Sequence, residues 1–407
     1  MNKETLKGWK QYRLNDLFII NPPKDNISND TEVSFIAMKD VSDAGYLISS
    51  EVKRFEEVKN GYTYFKNDDI ILAKITPCFE NGKMAVLSNL TNNYGVGSTE
   101  FYVFRKRPNA NILPQILYYI FKEPSFRKNA IMHMSGAAGQ KRVQRKFLEY
   151  YPLSIPLTTA EQQEIVQVLD TMSNIIRLRE ECISHAQDLI PALFQEMFKQ
   201  YIKQKDKHIS IGSVTSDTKQ INPLKFFETE FYYIDIASIN NDTGIIETPK
   251  IININETPPS RARKLVQTND VIISMTRPYL KGFSIIPKHL DGQIVSTGFS
   301  VLRSIPEKIL PLYLFAYART DMFVGQLIPK MKGANYPAVR DSDVRSVKIP
   351  LPPIELQEQF AEKVEKINSY IKEQQEELAN AKQMFQSLLH HAFTGKLTSK
   401  KDGECNE

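Results

Sequence analysis

One stretch of this chain occurs twice, and the rest is arranged about its two copies. The first reads Ile155-Pro156-Leu157-Thr158-Thr159-Ala160-Glu161-Gln162-Gln163-Glu164-Ile165. The second reads Ile349-Pro350-Leu351-Pro352-Pro353-Ile354-Glu355-Leu356-Gln357-Glu358-Gln359-Phe360. After each copy a pattern of mostly apolar residues advances in alternating steps of four and three. The first series is Ile165, Leu169, Met172, Ile176, Arg179, Ile183, Ala186, Ile190, Leu193 and Met197. The second is Phe360, Val364, Ile367, Ile371, Gln374, Leu378, Ala381, Phe385, Leu388 and Ala392. The two match member for member at a constant shift of 195. A sustained heptad predicts helices packed along an a/d seam. Two copies far apart in one chain predict that the helices pack on each other. Each seam has one polar member, Arg179 or Gln374, which either fixes the register or reaches solvent; both readings stand at this level.

The segments before the two helices also correspond. Leu14-Asn15-Asp16-Leu17 resembles Ile211-Gly212-Ser213-Val214, and Phe35-Ile36-Ala37-Met38 resembles Tyr233-Ile234-Asp235-Ile236. Asp69-Ile70-Ile71-Leu72 matches Asp270-Val271-Ile272-Ile273, Pro77 falls where Pro278 does, and Ser98-Thr99 falls where Ser296-Thr297 does. Gly136-Ala137 matches Gly333-Ala334, and Val143 matches Val339. The chain is therefore a tandem duplication, roughly 1–201 and 202–395, whose framework repeats and whose intervening residues diverge. A repeat of this length means two similar domains rather than a solenoid. Within the first module, Val33–Val41, Asp69–Ala73 and Phe101–Phe104 read as strands. Gln115–Phe126 has helical spacing, and Ser135–Gly139 reads as a glycine loop. Thr158 and Glu161 have capping-box spacing at the first long helix. Pro191 predicts a kink or break near Leu189–Ile190, because it removes a backbone donor and crowds the preceding turn. From Ile165 to Met197 an ideal helix rises about 50 Å. The predicted device holds two similar but non-identical surfaces a fixed distance apart.

Several chemistries are excluded. Cys78, Cys182 and Cys405 are scattered and lack a CxxC pair, so neither a disulfide framework nor a zinc site is expected. A reducing, cytoplasmic setting fits. The polar start Met1-Asn2-Lys3-Glu4 lacks a signal-peptide core, and no apolar run is long enough to span a bilayer. Asn21-Pro22-Pro23-Lys24 begins like the motif of adenine methyltransferases, but Lys24 stands where an aromatic must stack the flipped base. Tyr94-Gly95-Val96-Gly97 reads as a loop. Asp68, Asp69 and Lys74 lack nuclease spacing. No HExxH, GxSxG or GK[ST] occurs, and the six histidines are scattered. No catalytic or metal-binding residue is expected.

A net charge of +5 permits a nucleic-acid partner without requiring one. The better signal is recurrence. Lys74, Thr76 and Lys83 flank a turn after a strand, and Arg277, Tyr279 and Lys281 stand at the corresponding place. Lys141, Arg142 and Arg145 follow one glycine loop; Lys332, Asn335 and Arg340 surround or follow the other. Arg, Lys and Asn are side chains that read base edges or hold phosphates. Each residue taken singly reads as a solvated surface group; as a repeated set they are candidate DNA contacts.

The duplicated Ile-Pro-Leu…Glu-x-Gln segment leading into a long helix, each copy preceded by a glycine-containing loop, resembles the specificity (S) subunit of type I restriction–modification systems. The resemblance implies an α+β fold with internal pseudo-twofold symmetry. Residues 1–157 and 202–351 would be two mixed α/β target-recognition domains. Residues 158–201 and 352–395 would be the central and C-terminal spacer helices of an antiparallel coiled coil, followed by a polar tail, 396–407. It also implies a non-catalytic chain that reads a bipartite site in double-stranded DNA. Such a chain binds two methyltransferase (M) subunits and works with restriction (R) subunits. S-adenosylmethionine, ATP and Mg would sit on those partners, and this chain would carry no cofactor. A coiled-coil scaffold whose modules bind protein is the alternative; its binding would be insensitive to DNA sequence and to salt.

Overall fold

A computed structural model of the chain describes residues 8–137 and 139–397. The polar N-terminal stretch, Ala138 of the glycine loop, and residues 398–407 with Cys405 lie outside the described residues. Two compact units emerge: Met1–Arg179 with Glu377–Glu407, and Glu180–Glu376.

The first unit holds two four-stranded sheets. One runs in the order Phe18–Ile20, Phe101–Lys106, Ile70–Ala73, Met84–Val86, with every neighbour antiparallel. The other runs Glu51–Arg54, Glu32–Ile36, Tyr94–Gly97, Thr63–Lys66, with its middle pair parallel. Ile70–Ala73 is buried at all four positions because both its faces are covered. Ile70 and Leu72 enter the core beneath the helix Pro114–Lys122, while Ile71 and Ala73 pack with Ile36 and Phe65.

Three expectations need correction here. The strand from Val33 stops at Ile36, because the Asp40 carboxylate accepts the Ala37 N–H at 2.7 Å and closes a 3-10 turn, Met38–Asp40. The single helix expected over Gln115–Phe126 is two, Pro114–Lys122 and Pro124–Met132. Pro124 cannot donate to the first helix and holds Glu123 extended. Tyr94–Gly97 is a strand, not a loop. Its glycines make room: a Cβ at Gly95 would fall 2.4 Å from the Phe65 ring, and one at Gly97 would fall 2.2 Å from the Ile36 carbonyl oxygen. Asn21-Pro22-Pro23 is a turn, in which Asn21 Oδ1 accepts the Val103 N–H at 3.0 Å.

The second unit repeats both sheets in the same order. One is Thr215–Ser216, Phe299–Ser304, Val271–Ser274, Phe283–Ile285; the other is Lys250–Asn253, Glu230–Ile234, Ile294–Ser296, Ala262–Leu265. Divergence is compensated locally. Where the first unit buries Phe65 against two glycines, the second buries the smaller Val266, and Lys264 two residues earlier stands opposite Val295. The Lys264 amine donates to the Phe299 carbonyl at 2.7 Å and lies 3.6 Å from Asp341. Burial lowers its pKa.

The long helices are Thr159–Lys203 and Ile354–Phe393. Thr158 Oγ1 accepts the Glu161 N–H at 3.3 Å at the start of the first. In the first unit the start of one helix packs with the end of the other. Ile165, Leu169 and Phe385 are buried in one core, with Met172 and Ile176 half-buried against it. Tyr119 ties both helices to the module: its hydroxyl donates to Asp170, and its ring centroid lies 6.3 Å from that of Phe385. Arg179 donates to Glu377 across the pair, and Leu378 beside it is half-buried. In the second unit Phe194 and Phe198 pack edge to face with Phe360, at centroid distances of 5.7 and 5.3 Å. Val364 is buried in that core and Ile190 lies against it; Ile183 and Ile371 are buried and Ile367 half-buried. In both units the contacts run antiparallel.

No break occurs at Pro191, which lies exposed within a continuous helix. Pro191 leaves the Gln187 carbonyl without its helical donor, and the helix runs on through the site. The buried stripe also differs from a strict a/d seam. Phe194 and Phe198 are buried more deeply than Leu193 and Met197, because this part of the helix packs on the module as well as on its partner helix.

Candidate nucleic-acid interface

Each unit carries the same backbone knot. In the first, Lys74 N–H donates to the Glu100 carbonyl, Val143 N–H to the Lys74 carbonyl, and Thr76 N–H to the Lys141 carbonyl, all at 2.9 Å. In the second, Met275 N–H donates to Gly298 and Val339 N–H to Met275 at 2.9 Å, and Arg277 N–H donates to Pro337 at 2.8 Å. Two of these bonds join a strand-following turn to a loop some sixty residues later, and the third ties the turn to the residue before the next strand, in the same pattern in both units. Because backbone atoms make them, the bonds constrain no side chain. The turn and the glycine loop that the sequence set apart therefore form one surface per unit, with freely variable tips.

The side chains on the two surfaces differ. In the first unit Arg142 is bound to Glu100, with Nε at 3.0 Å and Nη2 at 2.8 Å, while its Nη1 donates to the Gln140 carbonyl at 3.2 Å. These bonds hold the Glu100 carboxyl below its usual range, and the nearby Lys74 charge adds to the effect. The Lys74 ammonium lies 5.4 Å from the Tyr102 ring centre. Thr76 donates to Glu80 at 2.8 Å. Lys83 turns inward to the Val41 carbonyl and to Asp43 at 3.3 Å, so it braces a loop instead of facing solvent. Arg145 is exposed and pairs with Glu149 at 2.8 Å; Lys141 is exposed.

In the second unit, Gly298 and Ala338 stand at the places of Glu100 and Arg142, so that ion pair is absent. Arg277 occupies the Thr76 position in a left-handed conformation, φ 48° and ψ 57°. Its Nη2 donates to the Asn335 carbonyl at 3.1 Å, and its guanidinium lies 5.0 Å from the Tyr336 ring centre. Lys281, also left-handed, closes the 3-10 turn Pro278–Leu280 and pairs with Asp321 at 2.7 Å. Tyr279, Leu280 and Tyr336 are exposed, as are Lys332, Asn335 and Arg340. The Arg340 backbone N–H caps the following helix through Asp343 at 2.8 Å.

Glu100 was not foreseen as a member of this surface. Its signal would have been a carboxylate one residue after the repeated Ser-Thr pair, where the other half has Gly298. Tyr336, one of the residues that the sequence sets around the second glycine loop beside Lys332 and Asn335, is 72% exposed. Among the described residues no group of three or more His, Cys, Asp or Glu could hold a metal ion, and no helix is long and apolar enough to cross a membrane.

The family model described as type I restriction modification DNA specificity domain matches residues 6–185 and 210–381. The chain is 39% identical over 181 residues to the type I restriction enzyme EcoAI specificity subunit of Escherichia coli, covering 44% of this chain and 30% of that protein. It is 41% identical over 166 residues to the EcoEI specificity subunit of the same organism, covering 40% and 27%. The matches therefore span less than a third of the length of either relative. The putative MjaX specificity subunit of Methanocaldococcus jannaschii is 25% identical over 315 residues, covering 72% of this chain and 71% of that one. A solved chain from work on the assembly of a type I R-M system has the same fold, with a TM-score of 0.57, 17% identity, and 97% and 100% coverage. So does the type I S subunit from M. genitalium, with a TM-score of 0.51, 13% identity and 97% coverage of each.

Proposed function

Because this chain belongs to the type I restriction–modification DNA specificity domain family, we propose that it is the DNA-reading, non-catalytic subunit of such a complex. Each unit reads one short half of a bipartite site in double-stranded DNA. Two methyltransferase subunits bind the chain, methylate adenine with their own S-adenosylmethionine, and join ATP- and Mg-dependent restriction subunits in the cytoplasm. One observation carries this reading: the same three-bond knot in both units presents different side chains at its tips. A common partner needs a constant framework, and two different half-sites need variable tips. Arg, Lys and Asn at those tips suit base edges and phosphates.

The test is the adenine methylome of cells expressing the chain with its cognate methyltransferase subunit, compared with cells lacking the chain. A bipartite motif that depends on the chain is the expected result. Replacing residues 1–157 by the corresponding part of a relative should then change one half of the motif. A change in both halves, or no chain-dependent motif although the subunits co-purify, contradicts the reading.

A further inference from the structure

The two knots differ in one respect that bears on which bases are read. In the first unit the guanidinium of Arg142 is spent within the chain, on both oxygens of Glu100 and on the Gln140 carbonyl. In the second, Arg277 is held in place without being spent. Its backbone is fixed by the Pro337 carbonyl, its Nη2 by the Asn335 carbonyl, and one face of its guanidinium by Tyr336. No carboxylate among the described residues pairs with it. A left-handed backbone at a residue with a side chain persists only where its surroundings over-determine it, and here they do. The result is a planar fork of donors in one orientation, beside exposed Tyr279 and Leu280.

We propose that Arg277, backed by Tyr336, is the specificity determinant with which the second unit reads a guanine. The proposal rests on the DNA-reading function above. Guanine presents O6 and N7 as two in-plane acceptors at the major-groove edge, and a fixed arginine fork matches them. Phosphates accept from the same donors but need no fixed plane, and exposed Lys332 and Arg340 can serve them. The first unit lacks an equivalent: Thr76 takes the position, and its hydroxyl donates to Glu80.

The test uses the full chain with its methyltransferase partner. Duplexes carrying the wild-type motif, and the same motif changed one base pair at a time, are bound by wild type, Arg277→Lys and Arg277→Gln. For wild type, replacing one guanine of one half-site should cost roughly ten- to a hundredfold in affinity. Both variants should be indifferent at that position and should read the other half-site as before. Uniform weakening of Arg277→Gln on every duplex, with Arg277→Lys behaving as wild type, would assign Arg277 to a phosphate and overturn the proposal. A wild-type motif without guanine in either half, or unchanged preference in both variants, would overturn it too. Should Arg277→Gln melt early and fail to fold, Arg277→Lys decides, since it keeps the charge and loses the fork. Absence of any sequence preference in wild type would refute the functional reading itself; intact wild-type preference that neither variant alters refutes this inference alone.

Discussion

Gln162 accepts the backbone N–H of Leu113 at 2.8 Å through Oε1, while its Nε2 donates to the carbonyls of Asn111 at 3.1 Å and Pro156 at 3.0 Å. Gln357 makes the same three contacts in the second unit, with Leu310 at 2.9 Å, Lys308 at 3.3 Å and Pro352 at 2.9 Å. Both glutamines are fully buried. They match at the shift of 195 that relates the two long helices, one residue out of step with the Glu-x-Gln motif, in which Gln357 falls opposite Gln163. In each unit one side chain satisfies a donor and two acceptors where strand, module and long helix meet.

Gln162→Leu or Gln357→Leu leaves buried backbone groups unpaired, at about 1–3 kcal/mol for each such group. Gln→Glu at either site should be at least as damaging, because a carboxylate facing two carbonyls cannot donate to them. Thermal melting of the full chain checks this. A Glu variant as stable as wild type would show that the amide donors are not needed.

Asp69 and Asp270 form the same buried ion pair in the two units. Arg105 reaches Asp69 at 2.9 and 2.6 Å, and Arg303 reaches Asp270 at 2.9 and 2.8 Å. Each aspartate also accepts a backbone N–H at 2.8 Å, from Lys66 or Gln267. Asp69→Ala or Asp270→Ala strands a cation and should cost about 3–5 kcal/mol. Lys366→Ala, which breaks an exposed i,i+4 pair with Glu362, should leave melting almost unchanged. Equal effects of the buried and exposed variants would contradict this account.

Pro191→Ala should stabilise the second unit by up to about 3 kcal/mol, since alanine restores the donor to Gln187 and relieves crowding in a helix that already runs through the site. Denaturant unfolding measures it. An unchanged midpoint would mean the helix accommodates Pro191 without cost.

The Glu100–Arg142 pair carries a pH signature. Arg142 hydrogen bonds lower the folded-state pKa of Glu100 below its unfolded value, so the stabilisation is present above the ordinary carboxylate range. It disappears as pH falls through the lowered folded value. Wild type should therefore melt above Glu100→Gln at pH 7, and the two curves should converge in acid. A gap that persists in acid would locate the effect of Glu100 elsewhere.

Lys332→Ala and Arg340→Ala should weaken binding to all duplexes alike and flatten the salt dependence by about one unit of slope for each lost phosphate contact. Titration at several salt concentrations separates this from base reading. Altered preference at a single base pair would reassign the residue.

Much of the architecture was legible in advance, for particular reasons. The match of Ile165 through Met197 with Phe360 through Ala392 announces two helices, because heptad spacing survives only where one helical face is continuously buried. Ile70–Ala73 reads as a buried strand from a short apolar run, to which Val271-Ile272-Ile273 is matched by the repeat, and the glycine loops read as loops. Periodicity could not separate Pro114–Lys122 from Pro124–Met132, since both keep the same apolar spacing. It also hid that Tyr94–Gly97 is a strand, for the glycines there answer to Phe65 on a neighbouring strand.

For the candidate site the division is sharper. The sequence by itself determined that the chain is two copies of one module on paired helices, and which cations and amides lie in the repeated loops. Only the tertiary structure decided their roles. Arg142 and Arg277 are both arginines in corresponding loop systems, yet one is neutralised by Glu100, 42 residues away, and the other is propped by Asn335 and Tyr336, 58 or more residues away. Lys83 and Lys332 likewise read as equal surface charges, and one turns inward to the Val41 carbonyl. A side chain's local sequence fixes its chemistry. Whether its donors are spent within the chain or left for a ligand depends on partners that folding brings from elsewhere.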